Sequence, residues 1–439
     1  MFLRIVAIIA LLPCVAVVCG CRCPSGGCVP RTPCLPCVPV PAEAEVEPPN
    51  LASLSCENCE LVPLPSPAET YLLLDAGTCQ CSAATNAAAA NMVELERHWA
   101  KVVIECDTQA VRENFCLDRD LLALHAVEIR NESAAAALNA FYQLAGLEAK
   151  KHFLRLAFDE TGKTLERINN LREKGLDVPE SLDYSAVETR LHQLKDQQFQ
   201  LEFSRIQLNG QLQKLLGCPI NEYAFYWPQV NWQVDLTPVD VQAELAHGMA
   251  MRTDLRGLEL LLCKSDKTTL PVTRAVLAYA DETVGSVEPR SGLLHVARCF
   301  RCNQSEVPIR CRQLAMFYTD TEHLATAELK GDAYKIILQQ QRAANAQQAV
   351  EHLRARVEEL TKTRDVKNVA IFDISKVRGD LYEAEVDLID QVVALEMAKV
   401  ELRRAQGELA RECGFEPRLC CEGCCDGACC KQSRSKCKK

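Results

Sequence analysis

The chain is short of aromatic residues, glycine and proline. Of 439 residues only 5% are Phe, Trp or Tyr, with 19 Gly and 20 Pro. Sandwiches and large barrels need frequent turns and aromatic or β-branched faces, so this scarcity weighs against them and favours long helices. A basic excess is also missing: 49 Lys and Arg stand against 59 Asp and Glu, for a net charge of −10. The chain as a whole repels a polyanion, and no nucleic-acid partner is expected. Beyond the N-terminus no uninterrupted apolar run reaches the ~18 residues a membrane-spanning helix needs, so none is expected.

Catalytic signatures are absent too. There is no glycine-rich phosphate loop, no Gly-x-Ser-x-Gly elbow and no His-Glu-x-x-His pair. The eight histidines are scattered and read as solvated residues on helix faces. The carboxylates sit on charged helix faces, where they support i,i+4 pairs. Arg252, Asp254 and Arg256 form a local charged group, for which helix-start capping by Thr253 or Asp254 is the simpler role. No catalytic residue and no cofactor is expected, and the chain does not read as an enzyme.

What is present begins with an export signal at Met1–Gly20, with Arg4 ahead of the apolar run Ile5–Cys19. Val18-Cys19-Gly20-Cys21 approximates a lipobox, and lipid on Cys21 would anchor the chain to a membrane surface. A plain secretory signal cut nearby is the alternative. The 26 cysteines are uneven: eleven precede residue 82, eight follow residue 412 and seven lie between. In an exported chain such density reads first as disulfides. The run holding Cys420, Cys421, Cys424, Cys425, Cys429 and Cys430 is the weaker, metal-binding reading, since clustered thiolates suit Zn or Cu(I).

Five regions follow: a signal peptide (1–20), a Cys/Pro-rich irregular arm (21–81), two helical repeats (82–232 and 233–416) and a Cys-rich basic tail (417–439). Helix is expected from about Ala83 to Leu216, from Val239 to Asp266 and from Arg310 to Arg411, with a break near Asp365–Val369. The aromatic cluster Tyr223–Trp232 reads as packing of a connecting segment, or alternatively as an interfacial belt.

Two helices carry explicit seven-residue seams. Val187, Leu194, Leu201, Leu208 and Leu215 form one, with Leu191, Gln198, Arg205 and Leu212 as its complement. Leu381, Leu388, Leu395, Leu402 and Leu409 form the other, with small Ala384, Ala398 and Ala405 between. Such seams keep one face against a partner helix and predict extended antiparallel coiled coils. The seams match at an offset of 194 (Leu215 and Leu409), whereas Leu182-Asp183 and Phe372-Asp373 match at 190. The expected fold is therefore all-α dominated, with two tandem repeats of long helical hairpins.

Gln213-Lys214-Leu215-Leu216-Gly217-Cys218-Pro219 looks like the Leu-Leu-Gly-x-Pro end of the first repeat in the TolC family of outer-membrane efflux proteins. Met251-Arg252-Thr253-Asp254-Leu255-Arg256 resembles the Arg-Pro-Asp-Leu-Arg start of its second repeat, with Thr253 in place of Pro. Gly175-Leu176 followed by Leu182-Asp183 resembles the turn joining its two long helices. The resemblance covers about residues 70–415. It implies a homotrimer whose helices form a periplasmic tunnel, a β-barrel in the outer membrane, and helix turns facing an adaptor linked to an inner-membrane pump. On that analogy Gly175, Leu176, Leu182, Asp183, Phe372 and Asp373 face the adaptor, and N-terminal lipidation is common.

This sequence departs from the family where the membrane strands belong. Slot one, about 100–122, is charged and reads as helix. In slot two, about 268–308, Val272–Tyr279 and Gly292–Cys299 are candidate short strands. The barrel is expected to be reduced or absent, with attachment by lipid or by such a remnant. The leading reading is an efflux component of an export system. The alternative is a non-conducting periplasmic scaffold derived from that family, and a thiol-rich metal-binding protein is a weaker third.

Overall fold

The computed structural model describes residues 70–106, 109–175, 184–218, 224–286, 296–367, 371–417 and 419. Met1–Gly20, Cys21, most of the arm, the tail cysteines Cys420–Cys430 and turn residues Leu176, Leu182 and Asp183 lie outside them.

The chain opens with strand β1 (Thr70–Asp75), helix α1 (Ala76–Asn86), α2 (Ala88–Cys106) and the 65-residue α3 (Gln109–Glu173). Then come α4 (Tyr184–Leu216), β2 (Ala224–Gln229), α5 (Val241–Met251), α6 (Thr253–Lys264) and α7 (Leu270–Ala280). The second half ends with the 72-residue α8 (Val296–Lys367), α9 (Ile371–Gln406) and the single turn α10 (Leu409–Glu412). At 1.5 Å per residue α3 is about 98 Å long and α8 about 108 Å. β1 and α1 occupy residues 70–81, at the end of the span read as irregular arm.

At one end of the molecule four helices lie side by side in the order α4, α3, α9, α8. Small residues bring their axes together: Ala145 and Ala149 of α3 pack with Ala346 of α8 and with Leu388, Ile389 and Val392 of α9. At the other end α1 and α2 pack along α3, while α6 and α7 fill the space between α3 and α8. Leu117 of α3, Leu261 of α6, Leu277 of α7 and Leu314 of α8 share that core. β1 and β2 pair in parallel, with Tyr71 opposite Phe225 and Asp75 opposite Gln229. They form the one sheet among the described residues.

The internal repeat is visible in the capping. Asp75 caps α1, accepting from the Thr78 amide at 2.8 Å, and Asp240 caps α5 through the Gln242 and Ala243 amides. Each cap starts an 11-residue helix that stops at one extended residue, Ala87 or Arg252, before the next helix begins. α4 and α9 also end alike, at Gly217 and Gly407, which are 190 residues apart. The offset of 194 suggested by the leucine seams is therefore not the structural repeat. α9 stops at Gln406, so Leu409, the last leucine of its seam, belongs to α10, where it is fully buried.

Among the described residues slot one is helical, and slot two is helical at 270–280 and from 296, with turns at 281–286. Slot one is the end of α2 and the start of α3. In slot two, the segment Val272–Tyr279 expected as a strand is helix α7. Its buried residues are Leu270, Val272, Thr273 and Leu277, with Leu270, Thr273 and Leu277 three and four apart on one helix face. Pro271 stands in its first turn, where the missing N–H leaves no hydrogen bond unmade. Of Gly292–Cys299, residues 296–299 are the first turn of α8, and 292–295 lie outside the described residues. No described helix is long and apolar enough to cross a membrane.

Candidate functional site

The two helix–helix turns come from the same end of the slab. α3 ends at Glu173, and Gly175 follows with φ +65°, its amide bonded to the Arg172 carbonyl at 3.0 Å. Across this turn the Arg172 guanidinium lies 4.3 Å over the Tyr184 ring that starts α4. In the second repeat Phe372 and Asp373 fall in the first turn of α9, not in the connection. Ser375, one residue pair further on, donates to Glu160 of α3 at 2.7 Å and accepts from Arg167 at 3.3 Å. The start of α9 is thereby held beside the far half of α3.

At mid-molecule a buried arginine ties the strand pair to the helices. Arg205, in the complement of the α4 seam, is 1% exposed. Its Nε donates to Glu148 of α3 at 2.6 Å, Nη1 to Glu202 at 2.5 Å and Nη2 to Tyr71 Oη of β1 at 2.8 Å. Its guanidinium also lies 4.1 Å over the Phe225 ring of β2. Burial raises the Glu148 pKa, and the charge of Arg205 opposes that shift. Tyr226, Trp227 and Trp232 are buried, which is the packing role and not an interfacial belt.

Arg252, Asp254 and Glu328 form a structural junction. Arg252 bonds Asp254 through Nε at 3.0 Å, and through Nη1 it reaches Glu328 at 2.7 Å and the Ala405 carbonyl at 3.2 Å. Arg404 shares Glu328 at 3.1 Å. The break between α5 and α6 is thus pinned to α8 and to the end of α9. Neither Thr253 nor Asp254 is the capping residue. Arg252 holds that position without a side-chain cap, and Asp254 takes the Leu255 amide inside the first turn.

One histidine departs from the solvated reading. His152 of α3 is 3% exposed and neither ring nitrogen has a hydrogen-bond partner. Burial, with Arg155 nearby, pushes its pKa down to about 4.

Cysteine chemistry in the described residues is structural. Cys81 and Cys413 form a disulfide with Cα atoms 5.2 Å apart, joining α1 to the turn after α10. Cys218 and Cys263 are disulfide-bonded as well. Cys79, Cys116 and Cys311 are free thiols. Burial pushes Cys79 up to about 12, which keeps it a thiol and removes it as a nucleophile or metal ligand. No group of His, Cys, Asp and Glu among the described residues is arranged to hold a metal ion. An open groove of about 580 Å³ lies beside Tyr142 and the segment after β2. Its one lysine, Lys399, is paired with Asp235 at 3.0 Å and Glu396 at 2.8 Å.

The two outer helices of the slab carry seams that the sequence reading missed. On α4, His192, Asp196, Phe199, Phe203 and Ile206 are all exposed, spaced alternately four and three apart. Phe203 is 69% exposed. On α8 the exposed series is Leu324, Ala327, Gly331, Tyr334 and Leu338. Nothing lies within 4 Å of where a Cβ would stand on Gly210 of α4 or Gly331 of α8, so both edges carry open hollows beside their large side chains. A second heptad phase on each helix was the available signal. On α4 it is hidden because the buried phase is richer in leucine, and on α8 because the commonest residue of the buried phase is alanine.

The chain was compared with known proteins. No family model matches it, and no curated protein matches it. Solved structures do. CusC, described for its transmembrane channel formation, aligns with TM-score 0.56 at 11% identity over 75% of this chain and 91% of its own. The Campylobacter jejuni CmeC outer membrane channel aligns with TM-score 0.52 at 12% identity over 74% and 71%. The outer-membrane channel OprN aligns with TM-score 0.50 at 17% identity over 68% and 72%. At these identities the likeness is one of fold. The chain has the TolC-like fold of outer-membrane efflux channels, all-α dominated, with membrane strands short or absent.

Proposed function

We propose that the chain is an exported helical-tunnel subunit at the outer membrane and periplasm, the exit component of a multicomponent efflux system. The observation that carries this reading is the pair of open apolar edges on opposite sides of one four-helix slab. An edge on α4 that fits a different edge on α8 makes a head-to-tail contact, which closes into a ring when the rotation allows. Curved slabs of long helices joined in this way enclose a passage, and the fold is that of known channels. A homotrimer is the assembly the fold suggests. The turn at Gly175–Asp183 and the start of α9 with Phe372 and Asp373 would meet a periplasmic adaptor and its inner-membrane pump. Cys21 would carry lipid and hold the ring at the membrane. The work is geometric, so no catalytic residue is assigned.

One observation favours the second reading, a non-conducting scaffold: neither barrel slot holds a strand among the described residues. The experiment is planar-bilayer conductance of the purified full-length chain, with assembly mass measured in parallel and the mature N-terminus identified by mass. Steady conductance from a trimer supports the tunnel. A non-conducting trimer gives the scaffold. A monomer removes the ring on which both tunnel and adaptor docking depend.

A further inference from the structure

α2 carries an apolar stripe of its own. Met92, Leu95, Trp99 and Val102 follow one another at three, four and three residues, which puts them on one helix face. They are 64%, 70%, 60% and 37% exposed. The opposite face, with Ala90 and Ala100, is buried against α3. α2 starts beside Arg130, which donates to Asn91 at 3.0 Å, and runs toward the N-terminus of α3. It therefore occupies the end of the molecule where channels of this fold carry membrane strands.

This stripe lies on the edge that α4 forms below it. α3 is flanked by α9 in one half and by α6 and α7 in the other, and all three stand between α3 and α8. α4 and α2 flank α3 on the remaining side. α4 ends beside the α1–α2 break: Asn86, the last residue of α1, donates through Nδ2 to the Leu216 carbonyl at 2.7 Å, and α2 starts two residues later. The α8 edge is equally continuous: Ile309 and Met316 are exposed above Leu324, Tyr334 and Leu338. The N-terminal part of α8 is level with α2, because Leu314 packs with Leu117 near the start of α3.

We propose that α2 docks on the N-terminal part of α8, about residues 305–320, of a second copy of this chain. The membrane-proximal end of the ring is then closed by a helical collar in place of paired strands. This rests on the ring proposed above and extends its α4–α8 contact past the slab. Twelve large apolar side chains, each 37–70% exposed and divided between the two opposite edges, expose on the order of 1,000 Å² in total. A head-to-tail contact covers one edge of each copy, so the apolar area it removes from water reaches the roughly 1,000 Å² that a specific interface needs. A lipid surface is the less suited occupant. Helices that lie in a bilayer interface have a broad apolar face and a cationic polar face. The α2 stripe is one residue wide, and Glu94, Glu96 and Glu105 offset Arg97 and Lys101.

The test is site-specific photo-crosslinking of the full-length protein in vesicles of phosphatidylethanolamine and phosphatidylglycerol. Benzoyl-phenylalanine is placed at position 99 or, for the lower edge, at position 203. The position-99 probe is expected to give covalent dimers and trimers, with the linked peptide within 305–320 of α8. Leu95→Asp should abolish that product, leaving the position-203 crosslink to α8 and the helical circular dichroism unchanged. Crosslinks from 203 without any from 99, or transfer from 99 to lipid, overturn the collar and leave the ring standing. If neither probe links copies and the mass is monomeric, the ring itself fails.

Discussion

Gly217 and Gly407 do the same thing 190 residues apart. Both are left-handed, with φ of 71° and 77°, and close α4 and α9. The Gly217 amide bonds the Lys214 carbonyl and the next amide bonds that of Gln213. The Gly407 amide bonds the Arg404 carbonyl and the next bonds that of Arg403. Each glycine also abuts the last residue of a short helix, Asn86 of α1 or Met251 of α5. A capping motif repeated bond for bond is stronger evidence of duplication than the leucine spacing.

The two glycines differ in the space around them. An added Cβ on Gly407 meets only the Met251 carbonyl oxygen, at 3.6 Å, whereas on Gly217 it would stand 2.8 Å from Asn86. Gly407→Ala should therefore cost about 1–2 kcal/mol for the left-handed backbone alone. Gly217→Ala should cost more, and Gly217→Ala with Asn86→Ala should recover part of the excess. Denaturant midpoints of the three variants check this.

Removing Arg205 leaves the Glu148 carboxyl buried without the charge that opposes its burial. Arg205→Met should cost about 3–5 kcal/mol, and the double variant with Glu148→Leu should restore most of it. A double-mutant cycle by chemical denaturation measures the coupling. A coupling near zero would mean that Glu202 and Tyr71, not Glu148, hold the guanidinium.

His152 makes stability depend on acid. Its folded pKa, about 4, lies below the unfolded value of 6.5, so the unfolded chain takes up the proton first. Stability is unaffected above pH 6.5 and falls as pH drops from about 6.5 to about 4. The loss is of the order of 1–3 kcal/mol at roughly 1.4 kcal/mol per pH unit. His152→Leu should flatten this part of the profile in thermal melts between pH 7 and 4.

The Cys81–Cys413 bridge spans 332 residues of sequence. Cys81→Ser should lower stability by about 2–5 kcal/mol. Amide exchange should quicken first in α10. The burial of Leu409 and the hydrogen bonds from Gln80 to the Leu409 carbonyl and to Glu412 would then have to hold it without the covalent link.

Phe203→Asp on α4 and Leu338→Asp on α8 lie on opposite edges and should each reduce the assembly to monomer with helix content intact. Mixing the two should not restore closed rings, because every subunit would still carry one disabled edge. Native mass measurement distinguishes these outcomes from misfolding.

Much of this architecture was legible in the residues. Leu194, Leu212, Leu388 and Leu395 are buried where their periodicity placed them. The glycine of the Leu-Leu-Gly segment does terminate α4. The slot at 268–308 was misread because Val272–Tyr279 holds β-branched and aromatic residues, and so short an apolar run does not distinguish strand from helix. His152 was misread because a lone histidine in a charged helix carries no sign of the face it occupies.

The sequence by itself determined that long helices dominate the fold, since helical periodicity is local and acts within a few residues. It also fixed the duplication, because a repeated local signal survives in the one-dimensional record. Only the tertiary structure decided that the second heptad phase on α4 and α8 stays exposed. In the slab α4 packs on α3 and α8 on α9, each on the face opposite that phase. The tertiary structure alone also brought Cys81 to Cys413, and it seated α2 and α4 one after the other along α3, which is long enough to hold both.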